Sequence, residues 1–259
     1  MTRRLLSLAL ALLAGACGHR VDPKNLIGLD DAKLYEHGQQ ELAAGNEANA
    51  RAYLERLVRQ HPDSPLVAQA QLMIADSFFQ EDSNLGYQQA EVEYKKFIAI
   101  YPTHARVDYA ALQAALSHVG RMRESDRDQV ATLEAEKALL QFLEDYPASP
   151  LVPQAREALS RAQGERAHHD LLVAEHYIKF GVPLAAVQRL RIIAERYPRS
   201  TVSEQAHTML VRAYLKAKQP RRAAAALELL KESFPGSGAV NELEQEVARN
   251  LPSAGAAGT

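Results

Sequence analysis

Residues 185–200 read AAVQRLRIIAERYPRS. Ala186, Leu190, Ile193 and Tyr197 stand four, three and four residues apart, which sets them on one face of a helix. Pro198 follows at once, and a proline disfavours helical backbone in the residue before it, so the helix ends at Tyr197. Ser200 comes two residues later and is a residue type that starts helices. The same string occurs four more times. Its prolines are Pro62, Pro102, Pro147 and Pro235, preceded by His61, Tyr101, Tyr146 and Phe234. Ala50, Ala90, Ala135 and Ala223 hold the small position. Leu54, Tyr94, Leu139 and Leu227, then Leu57, Phe97, Phe142 and Leu230, hold the two bulky ones. A small residue admits a neighbouring helix, and the larger pair fills the seam beneath it. Ser64, Ser149 and Ser237 repeat the serine, with His104 as the exception. These serines are expected to cap the helix that follows.

This alanine, bulky residue and proline pattern resembles the tetratricopeptide repeat, two antiparallel helices in a 34-residue unit. The expected fold is all-α: a right-handed superhelix of about five helix pairs. Residues 237–250, SGAVNELEQEVARN, are the expected C-terminal capping helix. Gly45-Asn46, Gly86 and Gly181 are read as turns within repeats. The proline spacings are 40, 45, 51 and 37, all longer than 34. One excess falls on the charged stretch from Gly120 to Gln129, read as a solvated loop. The other carries no turn chemistry between Ser149 and Phe180 and is read as one long helix with Gly164 its weakest point.

Composition narrows the classes. The chain has 259 residues, a net charge of −2, and one cysteine. The charge excludes a strongly basic nucleic-acid binder. A single cysteine excludes internal disulfides and Cys-x-x-Cys metal sites. That cysteine is Cys17, directly after Ala14-Gly15-Ala16 and the apolar run Leu5–Leu13, with Arg3 and Arg4 ahead. This is the layout of a secretory signal. It resembles a bacterial lipobox, although Ala14 stands where leucine is preferred. Residues 1–16 are therefore expected to be a lipoprotein signal peptide, 17–29 a lipidated tether, 30–250 the repeat body and 251–259 a disordered tail. Gly18 after the cysteine favours the outer membrane, periplasmic face, as the destination.

No catalytic pattern appears: there is no Gly-Lys-Ser phosphate loop, no Gly-x-Ser-x-Gly and no His-Glu-x-x-His. His168, His169, Glu175 and His176 are the one local cluster, and a solvated helix face is the preferred reading over a metal site. The expectation is a non-enzymatic protein without cofactor or metal.

Several strings carry a closer resemblance. Tyr101-Pro102-Thr103-His104 with Val107-Asp108-Tyr109-Ala110, the Glu124-Ser125-Asp126-Arg127-Asp128 loop, and Val173-Ala174-Glu175-His176-Tyr177 through Ala185 to Arg189 resemble the BamD family of outer-membrane lipoproteins. The resemblance spans roughly Leu29 to Phe234. Gln129-Val130-Ala131-Thr132 departs from the family's usual entry after the loop. It implies a scaffold of the β-barrel assembly (BAM) complex. Such a scaffold binds a POTRA domain of BamA, other BAM lipoproteins and unfolded outer-membrane β-barrel proteins. Arg189 matches the family's BamA-facing arginine. In the repeat register Tyr35, Gln39, Phe79, Tyr109 and Gln113 fall on first helices, where aromatic rings and amides can receive a barrel's terminal strand. The alternative is another periplasmic repeat scaffold, of the Tol-Pal coordinator or pilus-assembly type. The irregular spacing, and the lack of heptads before Leu34, speak against both.

Overall fold

The computed structural model describes Asp22 and residues 26–251. The signal peptide, Cys17, most of the tether and the tail after Leu251 lie outside the described residues. Among those described there are eleven helices and no strand: α1 Asp31–Ala43, α2 Glu47–Gln60, α3 Val67–Gln80, α4 Asn84–Ile100, α5 Val107–Gly120, α6 Val130–Asp145, α7 Val152–Lys179, α8 Pro183–Arg196, α9 Ser203–Lys216, α10 Pro220–Ser233 and α11 Val240–Asn250. The chain divides into two compact units, one ending at Ser77 and one beginning at Phe78.

The repeated string sets the helix ends in both. His61, Tyr101, Tyr146, Tyr197 and Phe234 are the C-caps of α2, α4, α6, α8 and α10. Each donates its amide to the carbonyl four residues back, at 2.8–2.9 Å, and has left helical backbone, as the following proline requires. All fifteen seam positions are at most 3% exposed. Gly45 and Gly181 take positive φ in the α1–α2 and α7–α8 turns. Gly86 is instead inside the first turn of α4, where a Cβ would lie 2.6 Å from the Phe78 carbonyl oxygen.

The serines act one step earlier than expected. The helices after them begin three residues later, at Val67, Val152, Ser203 and Val240. Ser64, Ser149 and Ser237 accept from the amide two residues on, Leu66, Leu151 and Ala239. They close the turn that leads into the helix and are not its caps. Two of them also donate across to an acid in the first turn of the preceding first helix: Ser64 Oγ to Asp31 and Ser149 Oγ to Asp108, at 2.5 and 2.6 Å. The Ser64 hydroxyl is the main reason the Asp31 carboxyl sits below its usual value.

In the second unit, consecutive helices from α4 to α11 pack on one another. Two apolar clusters meet along α7. One contains Leu112, Leu139 and Phe142 with Ala155 and Ala162 of α7. The other joins Ala167, Leu171 and Ala174 of α7 to Leu190, Ile193, Leu210, Leu227, Leu230 and Leu243. The 28 residues of α7 run unbroken through Gly164, about 42 Å of helix, so one rigid element belongs to both clusters. The capping helix α11 is held by Leu243 and Val247, and by Arg212 and Lys231 paired with Glu242 and Glu244.

Ala135 and Ala186 are fully buried in these seams. Enlarging either to Leu should overpack the contact and cost about 1–3 kcal/mol. Urea midpoints of the two variants check this, and unchanged midpoints in both would contradict the register.

Candidate functional site

The residues proposed to face a bound strand fall in both units. Tyr35, half-buried, and Gln39, exposed, lie one turn apart on α1 of the first unit. In the second unit, Phe79 and Tyr109 pack against the fully buried Tyr94 of α4. The rings of Phe79 and Tyr109 each meet Tyr94 edge-on, with centroids 6.5 and 6.4 Å away. Phe79 also packs edge-on against Tyr87 at 5.1 Å. The Arg106 guanidinium lies 4.1 Å over the Tyr109 ring, within cation–π range. One turn along α5 from Tyr109, Gln113 carries a buried Oε1 with no hydrogen-bond partner. A buried acceptor left without a donor costs free energy.

Arg189 has a different neighbour from the one its sequence surroundings offer. Glu195 is taken by Arg191 at 2.7 Å, four residues apart on α8. Arg189 Nη1 reaches back to α7 and donates to Asp170 Oδ1 at 3.0 Å. Asp170 is 1% exposed and its second oxygen is unpartnered, whereas the Arg189 side chain is 41% exposed. The arginine is thus fixed from below by a buried carboxylate while its other face meets solvent. Arg196 and Tyr197 make a similar tie to α6: Tyr197 donates to Glu136 Oε2 at 3.3 Å, and Arg196 lies 3.8 Å from Oε1.

The charged stretch after Gly120 is not wholly a solvated loop. Ser125 and Gln129 are buried. Ser125 Oγ donates to Glu165, and its carbonyl accepts from His169 Nδ1, both residues of α7. Gln129 Nε2 donates to the carbonyls of Glu124 and Arg127. Arg123, Glu124, Asp126, Arg127 and Asp128 remain exposed on this pinned base. His169 is therefore a structural residue, and His176 packs at a tilt against Phe180. Among the described residues no group of His, Cys, Asp and Glu is placed to hold a metal.

One cluster had no signal in the repeat pattern. Glu91 of α4 holds Lys95 at 2.7 Å, His118 at 3.2 Å and Arg121 at 3.2 Å. Arg121 also lies 2.7 Å from His118 Nδ1. A guanidinium only donates, so Nδ1 accepts and the ring proton sits on Nε2, facing Glu91. Burial pushes the His118 pKa down, helped by Arg121 and Lys95 and opposed by Glu91. The unfolded chain then binds a proton, near the ordinary histidine value of ~6.5, that the folded chain refuses. Stability should fall as pH drops below that value and level off once the folded ring also titrates. Urea midpoints at neutral and mildly acidic pH should differ more in the wild type than in His118→Gln. An identical pH dependence in the two would remove His118 from this role.

An all-helical body built from helix pairs on a recurring seam defines a repeat protein of the tetratricopeptide type. Residues 205–237 also match the tetratricopeptide repeat as a family. Residues 28–199 match the family described as outer membrane lipoprotein (YfiO), and the chain belongs to that family. Its relatives include proteins named outer membrane protein assembly factor BamD. That of Neisseria meningitidis serogroup B is 28% identical over 251 residues, covering 92% of this chain and 93% of the relative. That of Caulobacter vibrioides is 29% identical over 205 residues, covering 78% and 66%. That of Vibrio cholerae is 25% identical over 217 residues, covering 80% and 88%.

Proposed function

We propose that this chain is an outer-membrane protein assembly factor: a non-enzymatic scaffold that works in the assembly of β-barrel proteins. Family membership over residues 28–199 carries the reading, together with relatives that share its length and bear that name. The scaffold is anchored by lipid on Cys17 to the periplasmic face of the outer membrane. Acyl chains contribute ~0.8 kcal/mol per buried CH₂, and two or more hold firmly. Among the described residues no helix is long and apolar enough to cross a membrane.

Two surfaces divide the work. The Phe79–Tyr94–Tyr109 wall, with the unsatisfied Gln113 acceptor beside it, receives the terminal strand of an unfolded barrel protein. Tyr35 and Gln39 supply the same chemistry on α1. Arg189, held in place by Asp170, offers a solvent-facing guanidinium to the POTRA domain of BamA, where a planar fork suits a carboxylate. Other BAM lipoproteins join this assembly, and nucleic acid has no part in it.

The test is depletion of the chain in its own cells. Newly made outer-membrane barrel proteins should then accumulate unfolded, and a Cys17→Ser variant should fail to sediment with outer membranes and fail to restore them. Normal barrel levels after depletion would sink the proposal.

A further inference from the structure

A small cavity of about 110 Å³ opens where the middle of α7 passes the end of α8. Ser160, Gln163 and Gly164 form one wall; Arg196, Tyr197, Pro198, Arg199 and Ser200 form the other. The groove along α5 has Glu134 and Asp145 on its wall, that beside the 121–129 loop has Asp128, and that between α8 and α10 has Glu195. This cavity has no carboxylate on its wall.

Its groups are donors. Arg199 makes no ion pair or hydrogen bond among the described residues. Arg196 has its guanidinium 5.6 Å from the Tyr197 ring centroid, and its one acidic neighbour, Glu136, is 3.8 Å away and also accepts from Tyr197. Ser200 Oγ is buried and unpartnered. Gly164 adds a second, independent sign. Glycine weakens a helix interior, yet a Cβ here would meet nothing within 4 Å, so packing does not require it. Its bare backbone leaves that stretch of the cavity wall without a side chain.

We propose that Ser160, Gln163, Arg196, Arg199 and Ser200, around the bare backbone of Gly164, form a site for a phosphate-type oxyanion, free or carried by a lipid headgroup. Two guanidinium groups, two hydroxyls and an amide suit an ion with several oxygens pointing in different directions. A carboxylate would use one arginine fork and leave the rest unpaired. The volume admits a small polyatomic ion and excludes a peptide side chain with its backbone.

The experiment is calorimetric titration of the purified full chain with inorganic phosphate and, separately, with dihexanoylphosphatidic acid. Saturable binding of either is expected. Binding of both marks the free ion as sufficient, and binding of the lipid alone marks the headgroup as the source. Arg199→Glu should weaken the interaction ~10-fold or more, the value of one charge-assisted contact. Arg156→Glu, at an exposed arginine near the start of α7, should leave it unchanged. Gly164→Leu removes no charge and favours the helix, so it should keep or raise the thermal midpoint while weakening binding. No saturable binding of either probe by the wild type would overturn the site. Equal effects of Arg199→Glu and Arg156→Glu would overturn it too, by reducing the effect to overall charge.

Discussion

Arg189→Ala should lower the thermal midpoint by roughly 6–12 °C, although the residue is a half-exposed arginine on a helix surface. The cause is Asp170. With 1% exposure and an unpartnered Oδ2, this carboxylate relies on Arg189 as its ion-pair partner, at 3.0 Å. Removing one partner of a buried pair costs ~3–5 kcal/mol. The lower end, about 3 kcal/mol, applies here, because solvent already reaches the arginine and can follow it in. A loss of BamA binding in Arg189→Ala would therefore be ambiguous by itself. Asp170→Asn in the same chain separates the two effects, since it keeps the shape of the site without the charge. The double variant should regain most of the lost midpoint and still bind the POTRA domain weakly. Full recovery of binding would make Arg189 a structural residue only. Arg221, exposed on α10, is the control. Arg212 is unsuitable because it ties α9 to Glu242 and Glu246 of α11.

Tyr94→Ala should be worse, costing about 3–5 kcal/mol as a buried aromatic truncation. Tyr94 is fully buried in the seam, and the rings of Phe79 and Tyr109 lean on it. Tyr94→Leu distinguishes seam from surface. Leucine is what Leu54, Leu139, Leu190 and Leu227 supply at this register position. The substitution should keep most of the stability while releasing Tyr109. A labelled peptide with the sequence of a barrel's terminal strand should then bind Tyr94→Leu and a Tyr109→Ala, Gln113→Ala double variant more weakly than wild type. Equal affinities in all three would remove this wall from the substrate site.

The seam was legible because it repeats. Fifteen positions at offsets of four and three residues give one apolar stripe per helix, and an aromatic residue before proline has few backbone options, so both burial and helix ends follow. The long α7 was legible from missing punctuation. The serines are less legible: they stand two residues ahead of the N-cap positions Leu151, Val202 and Ala239, because a Ser hydroxyl satisfies an amide two residues on as well as one in a helix. Contacts across sequence distance were hidden. Asp170 sits beside His168 and His169 and reads as one more surface charge, and its partner is nineteen residues away on the next helix. Ser125 reads as part of a charged loop, while the groups that bury it, Glu165 and His169, lie forty or more residues later. His118 falls at a helix end where a basic residue is common, and nothing local points to Glu91.

The assembly role is tested most directly by crosslinking in intact cells, followed by detergent extraction of the chain and identification of what comes with it. BamA and unfolded barrel proteins should co-purify, with the BamA crosslinks centred on the α7–α8 surface around Arg189. Recovery of Tol-Pal or pilus-assembly components in their place, with no BamA, would contradict the account.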